Sequence, residues 1–321
     1  MISALTFNTI EIRNPSSIMP TLSAADLPKG VHLPKTPSSH FDYRQATNSE
    51  LMAHGLPPRP NEAKKFARWD KIMSSLKRFI EPTFRSTGVK DTDRTWCGAV
   101  VTASDLAKGE SFTEVQGTWI VPSPYPPQAK QGTYGCISWV GLDGYVGSTD
   151  LIRAGTWQSV GVDSSGEVTS QDVTFWCKWS TGGVGNEQFL DFPISFGDTV
   201  LCDISSGEQD GDNGVNVFIL NQGPWNWTSF FIKAPDNTTL KGDSAQWIMQ
   251  NPSDTKSPDS MAEFGSTFFF SCFAVTNYDT WQDLSNATPI LMVNSNGTVI
   301  VDAVKENDEV IGIFSPCAIT W

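Results

Sequence analysis

The side chains able to do chemistry are unevenly spread along this 321-residue chain. All three histidines, His32, His40 and His54, fall in the first 60 residues. Everything after them lacks an imidazole, so Ser-His-Asp and Cys-His nucleophilic catalysis have no base there. Six cysteines, Cys97, Cys136, Cys177, Cys202, Cys272 and Cys317, are dispersed with no C-x-x-C pair. Together with the missing imidazoles, that spacing removes the usual zinc and copper donor sets. Their strand-like surroundings read as buried free thiols; disulfides stay open, because spacing does not fix connectivity. Neither a P-loop nor a G-x-G-x-x-G after a strand occurs, so nucleotide binding has no support. The acids of GEQDGDNG (207–214) lack a calcium loop's closing Glu and flanking helices, and read as a solvated turn. No metal or cofactor is expected.

What remains is carboxylates, amides, a few cations and much tryptophan. Of the twelve Trp, only Trp69 precedes residue 90. Trp96, Trp119, Trp139, Trp157, Trp176, Trp179 and Trp247 fall on strand-like runs, some to fill a core and others to wall a cleft. Arg153 stands inside the apolar stretch LIRAG (151–155), where an unpaired charge is costly. It must pair, with Asp143 and Asp150 the nearest acids, or face a cleft that uses its charge.

The elements that must position these groups are mostly strands. Val, Thr, Phe and Trp are abundant, Gly and Pro punctuate, and only 18% of residues are charged. From residue 91 onward, runs such as 96–102, 112–121, 173–179, 198–204, 215–220, 264–275 and 309–314 are separated by short turn clusters. They predict one all-β domain over 91–321, an antiparallel sandwich or barrel. Residues 1–60, rich in Pro, Ser and Asn, read as an extended arm with little structure of its own. Residues 61–90 hold one amphipathic helix and a linker: Phe66, Trp69, Met73, Leu76 and Ile80 keep helical spacing, Asn61 is the candidate N-cap, and Pro82 ends the pattern. A net charge of −13 opposes nucleic-acid and anionic-membrane partners, and no run is long enough to span a bilayer. The N-terminus lacks a basic n-region and an unbroken apolar stretch, so the expected location is intracellular. Sequons at Asn226, Asn237, Asn286 and Asn296 leave secretion open. Oligomeric state is not legible.

Seven blocks, VQGTWIVP (115–122), SWVGLDG (138–144), LIRAG (151–155), WCKW (176–179), ISFGDTVLCDI (194–204), SAQWIMQNP (244–252) and MAEFGSTFFF (261–270), resemble the glutamic peptidases, the eqolisin family, in order and spacing. The resemblance covers about residues 94–320. It implies a concanavalin-like sandwich of two curved antiparallel sheets with a concave active cleft. It also implies a catalytic Gln–Glu pair, in which the carboxyl group activates water and the amide helps hold the oxyanion. Those positions are replaced. Arg153 stands where the family's glutamine falls, Gln246 stands for the glutamate, and Lys178 stands for a further acid. Trp139 and Asp143 match cleft residues, and Glu263 falls where the family has Asp.

An amide cannot take a proton from water, and a guanidinium stays charged at any working pH. Family-type proteolysis is therefore not expected. Arg153, Lys178 and Gln246 become candidate catalytic donors, with Trp139, Asp143, Trp157, Trp176, Trp247 and Glu263 around the ligand. Such a pocket suits a small metabolite bearing carbonyl, phenolate or carboxylate oxygens, bound and polarised for cyclisation, cycloaddition or isomerisation. Two alternatives stand beside it. One is a non-catalytic pseudo-peptidase or lectin-like binder; the other is a peptidase with shifted groups, using Asp143 or Glu263.

Overall fold

The computed structural model describes residues 27–315 apart from 29, 39–40, 88–94, 183–184, 186, 237, 253–260 and 295. The expectations for residues 1–26 of the arm, for His40, the end of the 61–90 linker, the Asn237 sequon and Cys317 lie outside them.

Strands dominate, as the β-branched and aromatic runs require. In chain order they begin with β1 (Val31–His32), β2 (Arg78–Phe79), β3 (Phe84–Thr87), β4 (Trp96–Thr102), β5 (Phe112–Ile120) and β6 (Gly132–Leu142). Next come β7 (Asp150–Val162), β8 (Val168–Thr181), β9 (Glu187–Leu190), β10 (Thr199–Gln209), β11 (Asp212–Asn221) and β12 (Asn226–Lys233). The last are β13 (Ser244–Gln250), β14 (Ser266–Thr276), β15 (Trp281–Gln282), β16 (Thr288–Ile290), β17 (Met292–Val293), β18 (Val299–Asn307) and β19 (Val310–Phe314).

They form two sheets. The larger runs β1-β12-β11-β10-β5-β14-β19-β18-β17, with β15 on β14 and β2 on β12; the smaller runs β16-β4-β13-β6-β7-β8-β9-β3. Neighbours are antiparallel except the short β2–β12 pair. The sheets face each other across one core that includes Trp119, Val140, Ala154, Cys177, Val200, Trp247 and Phe269. Two indoles tie the layers together. Trp119 Nε1 donates to Thr156 Oγ1 at 2.9 Å, and Trp247 Nε1 donates to the Gln116 carbonyl at 2.8 Å.

The arm is more structured than its composition implies. Within its described residues, β1 extends the larger sheet and α1 (Asn48–Ala53) forms a helix. A capping box closes α1: Glu50 N–H donates to Thr47 Oγ1, and Thr47 N–H donates to the Glu50 carboxylate. The reason for the order is apolar. Leu201, Phe218 and Leu220 point outward from β10 and β11, and Leu51, Leu56, Trp69 and Met73 of the N-terminal segment cover them. The expected helix is α2 (Ala63–Ser75), with Glu62 rather than Asn61 at its N-cap position and no side-chain capping bond there. It stops at Leu76, short of Pro82, because residues 78–79 turn to pair with β12 as β2. The GEQDGDNG segment is the β10–β11 hairpin, whose Asp210 and Gly211 take the two successive positive φ values that such a tight turn needs. No described helix is long and apolar enough to cross a membrane. The five described cysteines are buried and free.

Candidate functional site

Cross-strand register decides which side chains meet. On the smaller sheet Gln246 lies opposite Gly141, Gly141 opposite Arg153, Arg153 opposite Lys178, and Lys178 opposite Glu187. Directly opposed residues share a face, so Gln246, Arg153, Lys178 and Glu187 form one row across β13, β6, β7, β8 and β9. Alternation turns this row away from the inter-sheet core. The next row along the same face is Ile248, Trp139, Gly155, Trp176 and Phe189; the row after it carries Gln250, Ile137 and Trp157.

Arg153 is clamped. Its guanidinium lies 5.5 Å from the Trp139 ring centre and 5.1 Å from that of Trp176. Gly155 separates the two indoles in their row, so no side chain occupies the slot between them. A Cβ at Gly155 would fall 1.9 Å from the Ser138 carbonyl, so the backbone itself demands glycine there. Arg153 Nη1 donates to Gln250 Oε1 at 2.8 Å, and Trp139 Nε1 donates to the same oxygen at 2.9 Å. Planar guanidinium on indole faces is the arrangement that cation–π attraction rewards most when water is excluded, by about 2 kcal/mol. The expectation of an Asp143 or Asp150 partner is corrected. Asp150 lies three residues from Arg153 along β7 and so faces the other side, and Asp143 is committed elsewhere.

Lys178 is fully buried, with its Nζ 3.7 Å from Glu187 Oε1. Opposing Arg153 directly, it would repel that cation, and the neighbouring carboxylate offsets the repulsion. Gln246 differs from its expected role as a donor. Its Nε2 donates to the Asp143 carbonyl at 2.9 Å and to Ser244 Oγ at 2.7 Å, leaving Oε1 buried without a hydrogen bond. It therefore turns an acceptor toward the row. A Cβ on Gly141 would lie 3.2 Å from that oxygen, so the glycine makes room for it.

The Asp143 carboxylate accepts the Lys241 and Asp243 N–H groups at 2.6 and 2.8 Å and pins that loop. Burial raises its pKa to about 7, against the lowering effect of those two bonds and with a further push from Asp243. Trp247 is not on this face: it belongs to the inter-sheet core, and its expected place beside a ligand is corrected. Glu263 makes a two-way backbone bridge with Tyr125, two residues after Met261 meets Gly135. Gly135 is six residues, about 20 Å, from Gly141 along β6, so Glu263 is seated at the other end of the strand from the row. Trp157 shares the face and stacks 5.4 Å from Phe189.

Sequence reasoning missed Gln250, Glu187 and the role of Gly155. Strand alternation from Gln246 could have placed Gln250 on the face; nothing in GNEQFL marks Glu187. Among the described residues no three His, Cys, Asp or Glu converge to hold a metal ion.

A family model described as the Peptidase A4 family matches residues 94–313. Among solved structures, the chain is similar to Scytalido-glutamic peptidase bound to a peptide-based transition-state analogue, with TM-score 0.53 and 18% identity over 70% of this chain and 98% of that one. It is also similar to SCP-B, a member of the eqolisin family of peptidases complexed with the tripeptide Ala-Ile-His, with TM-score 0.51 and 17% identity over the same shares. At these identities the likeness concerns the fold. No curated protein sequence matches the chain.

Proposed function

The chain belongs to the Peptidase A4 family, and we propose that it uses that family's sandwich without hydrolysing peptides, to bind and polarise a small oxygen-bearing metabolite. One observation carries the reading. Arg153, Gln246 and Lys178, read as standing at the family's acid and amide positions, share one register row on a face walled by Trp139 and Trp176. The carboxylate in that row, Glu187, stands two strands away from Arg153. Gln246 is an amide, Glu187 is held by Lys178, and the Asp143 carboxylate is turned to the 241–243 loop.

In this reading Arg153 provides a fixed positive charge whose orientation is set before any ligand arrives. Such a charge stabilises a developing enolate, phenolate or carboxylate oxygen without reorganisation. Cyclisation, cycloaddition or isomerisation of a reactive small molecule needs that stabilisation more than it needs proton abstraction. A second reading, a non-catalytic binding protein, draws support from Gln246, whose amide hydrogens are both committed within the protein. A peptidase with shifted groups is disfavoured by the placement of Asp143 and Glu263.

The test uses trans-cinnamate as a probe and pairs calorimetric binding with thermal denaturation on Arg153→Met and Arg153→Lys. We expect both variants to stay folded and to lose about 1.5–3 kcal/mol of binding, the range for a hydrogen bond to a charged group. Lysine should fail because a point charge cannot reproduce the stacked planar fork. Unchanged cinnamate binding, with a large fall in melting temperature, would make Arg153 purely structural and end this reading.

A further inference from the structure

A second polar region lies on the opposite side of the sandwich. Between α2 and the outer face of the larger sheet is a cavity of about 380 Å³. Its floor is built by alternation along β5, which sends Val115 and Trp119 into the core and Glu114 and Gln116 outward. Glu114 and Gln116 are each only 6% exposed. The Gln116 side-chain amide has no hydrogen bond to another described residue. That amide therefore opens onto the cavity, where a ligand can bond it.

Asp203 of β10 lies beside Glu114, and the two carboxyl groups hydrogen-bond each other. Ser205 Oγ also donates to Asp203, at 3.2 Å. Two buried acids in contact cannot both ionise, so the pair shares a proton and holds about one negative charge. Trp69, Phe273 and Trp281 supply aromatic surface. Two of the three lining cations are engaged, Lys65 with its Nζ 4.2 Å over the Trp281 ring and Arg68 3.8 Å from Glu309; Lys64 is the third.

We propose that this cavity binds a small aromatic amine. The ammonium would sit against the Glu114–Asp203 pair, which holds about one negative charge, and would donate to the Gln116 amide oxygen, and the ring would lie against Trp69 and Phe273. An anion would meet the acid pair, with Asp279 and Glu309 adding to the repulsion. A neutral apolar molecule would leave Gln116 unsatisfied. The site depends on the N-terminal segment, since α2 and Pro57, Pro58 and Pro60 form its other wall. It stands independently of the Arg153 row.

The test is calorimetric titration of the full chain with tryptamine, indole-3-propionate and 3-methylindole. Tryptamine should bind at least tenfold more tightly than the other two. Asp203→Asn, which keeps the shape and removes the charge the pair holds, should lose tenfold to a hundredfold in tryptamine affinity without lowering the melting temperature. If Asp203→Asn does not fold, Gln116→Leu takes its place, with a loss of at least threefold expected. The proposal is overturned if tryptamine shows no binding at millimolar concentration, if the acid or the neutral indole binds as well, or if the folded variant keeps full affinity.

Discussion

Two buried polar regions sit on opposite outer faces of one sandwich and solve the same problem differently. On the smaller sheet, the cations of the row are held rigidly: Arg153 is stacked between indoles and bonded to Gln250, and Lys178 lies against Glu187. Under α2, two carboxyl groups reduce their charge by sharing a proton, and space is left beside them. The first arrangement fixes geometry and the second leaves it adjustable. The difference also tracks origin within the chain, since the row lies wholly inside the 94–313 family match while the cavity needs the N-terminal segment.

If the row is a clamp, loss of one jaw should cost most. Trp139→Ala removes a fully buried indole, its bond to Gln250 and its edge contact with Trp96. We expect a loss of about 3–5 kcal/mol in denaturant unfolding. Met73→Ala, beside the existing cavity, should cost about 2 kcal/mol, near the low end for its type. Equal costs would erase the contrast between a packed face and a roomy one.

The acid pair makes a prediction about pH. Burial holds Asp203 at about 7 and raises Glu114 well above its usual range. The folded chain therefore keeps protons that the unfolded chain releases near pH 4. Stability from this source is present below about pH 4 and is lost as pH rises through about 7. Asp143, also raised to about 7, adds in the same direction. Melting temperature should fall from pH 5 to pH 7.5, and Asp203→Asn should flatten that slope. A rising melting temperature in the unsubstituted protein would contradict the shared proton. A smaller effect belongs to the helix that helps close the N-terminal segment. Thr47→Ala breaks the α1 capping box and should cost about 1 kcal/mol.

The row was legible in the sequence and the cavity was not, for physical reasons. The resemblance of LIRAG, SAQWIMQNP and WCKW to glutamic-peptidase blocks implied that Arg153, Gln246 and Lys178 meet in one cleft, and the register sets them in one row. Face was harder to read than strand. Trp247 immediately follows Gln246 and by alternation must point to the other side, yet abundance of indoles alone suggested a cleft residue. Direction of hydrogen bonding was not readable either, because the Gln246 amide is oriented by a backbone carbonyl, that of Asp143, supplied by the end of a different strand. The arm misled because its Pro, Ser and Asn content describes local propensity. Its order comes from the apolar patch at Leu201, Phe218 and Leu220, which belongs to strands more than a hundred residues later. Glu114 and Asp203 lie about ninety positions apart, and only the β5–β10 pairing brings them together.

The central claim is that this family member has no peptide-hydrolysing dyad. It is tested most directly by incubating the full chain with denatured casein between pH 2 and pH 5 and following cleavage by mass spectrometry. The account predicts no products above a blank. Casein fragments from the unsubstituted chain that vanish in Gln246→Ala would contradict it.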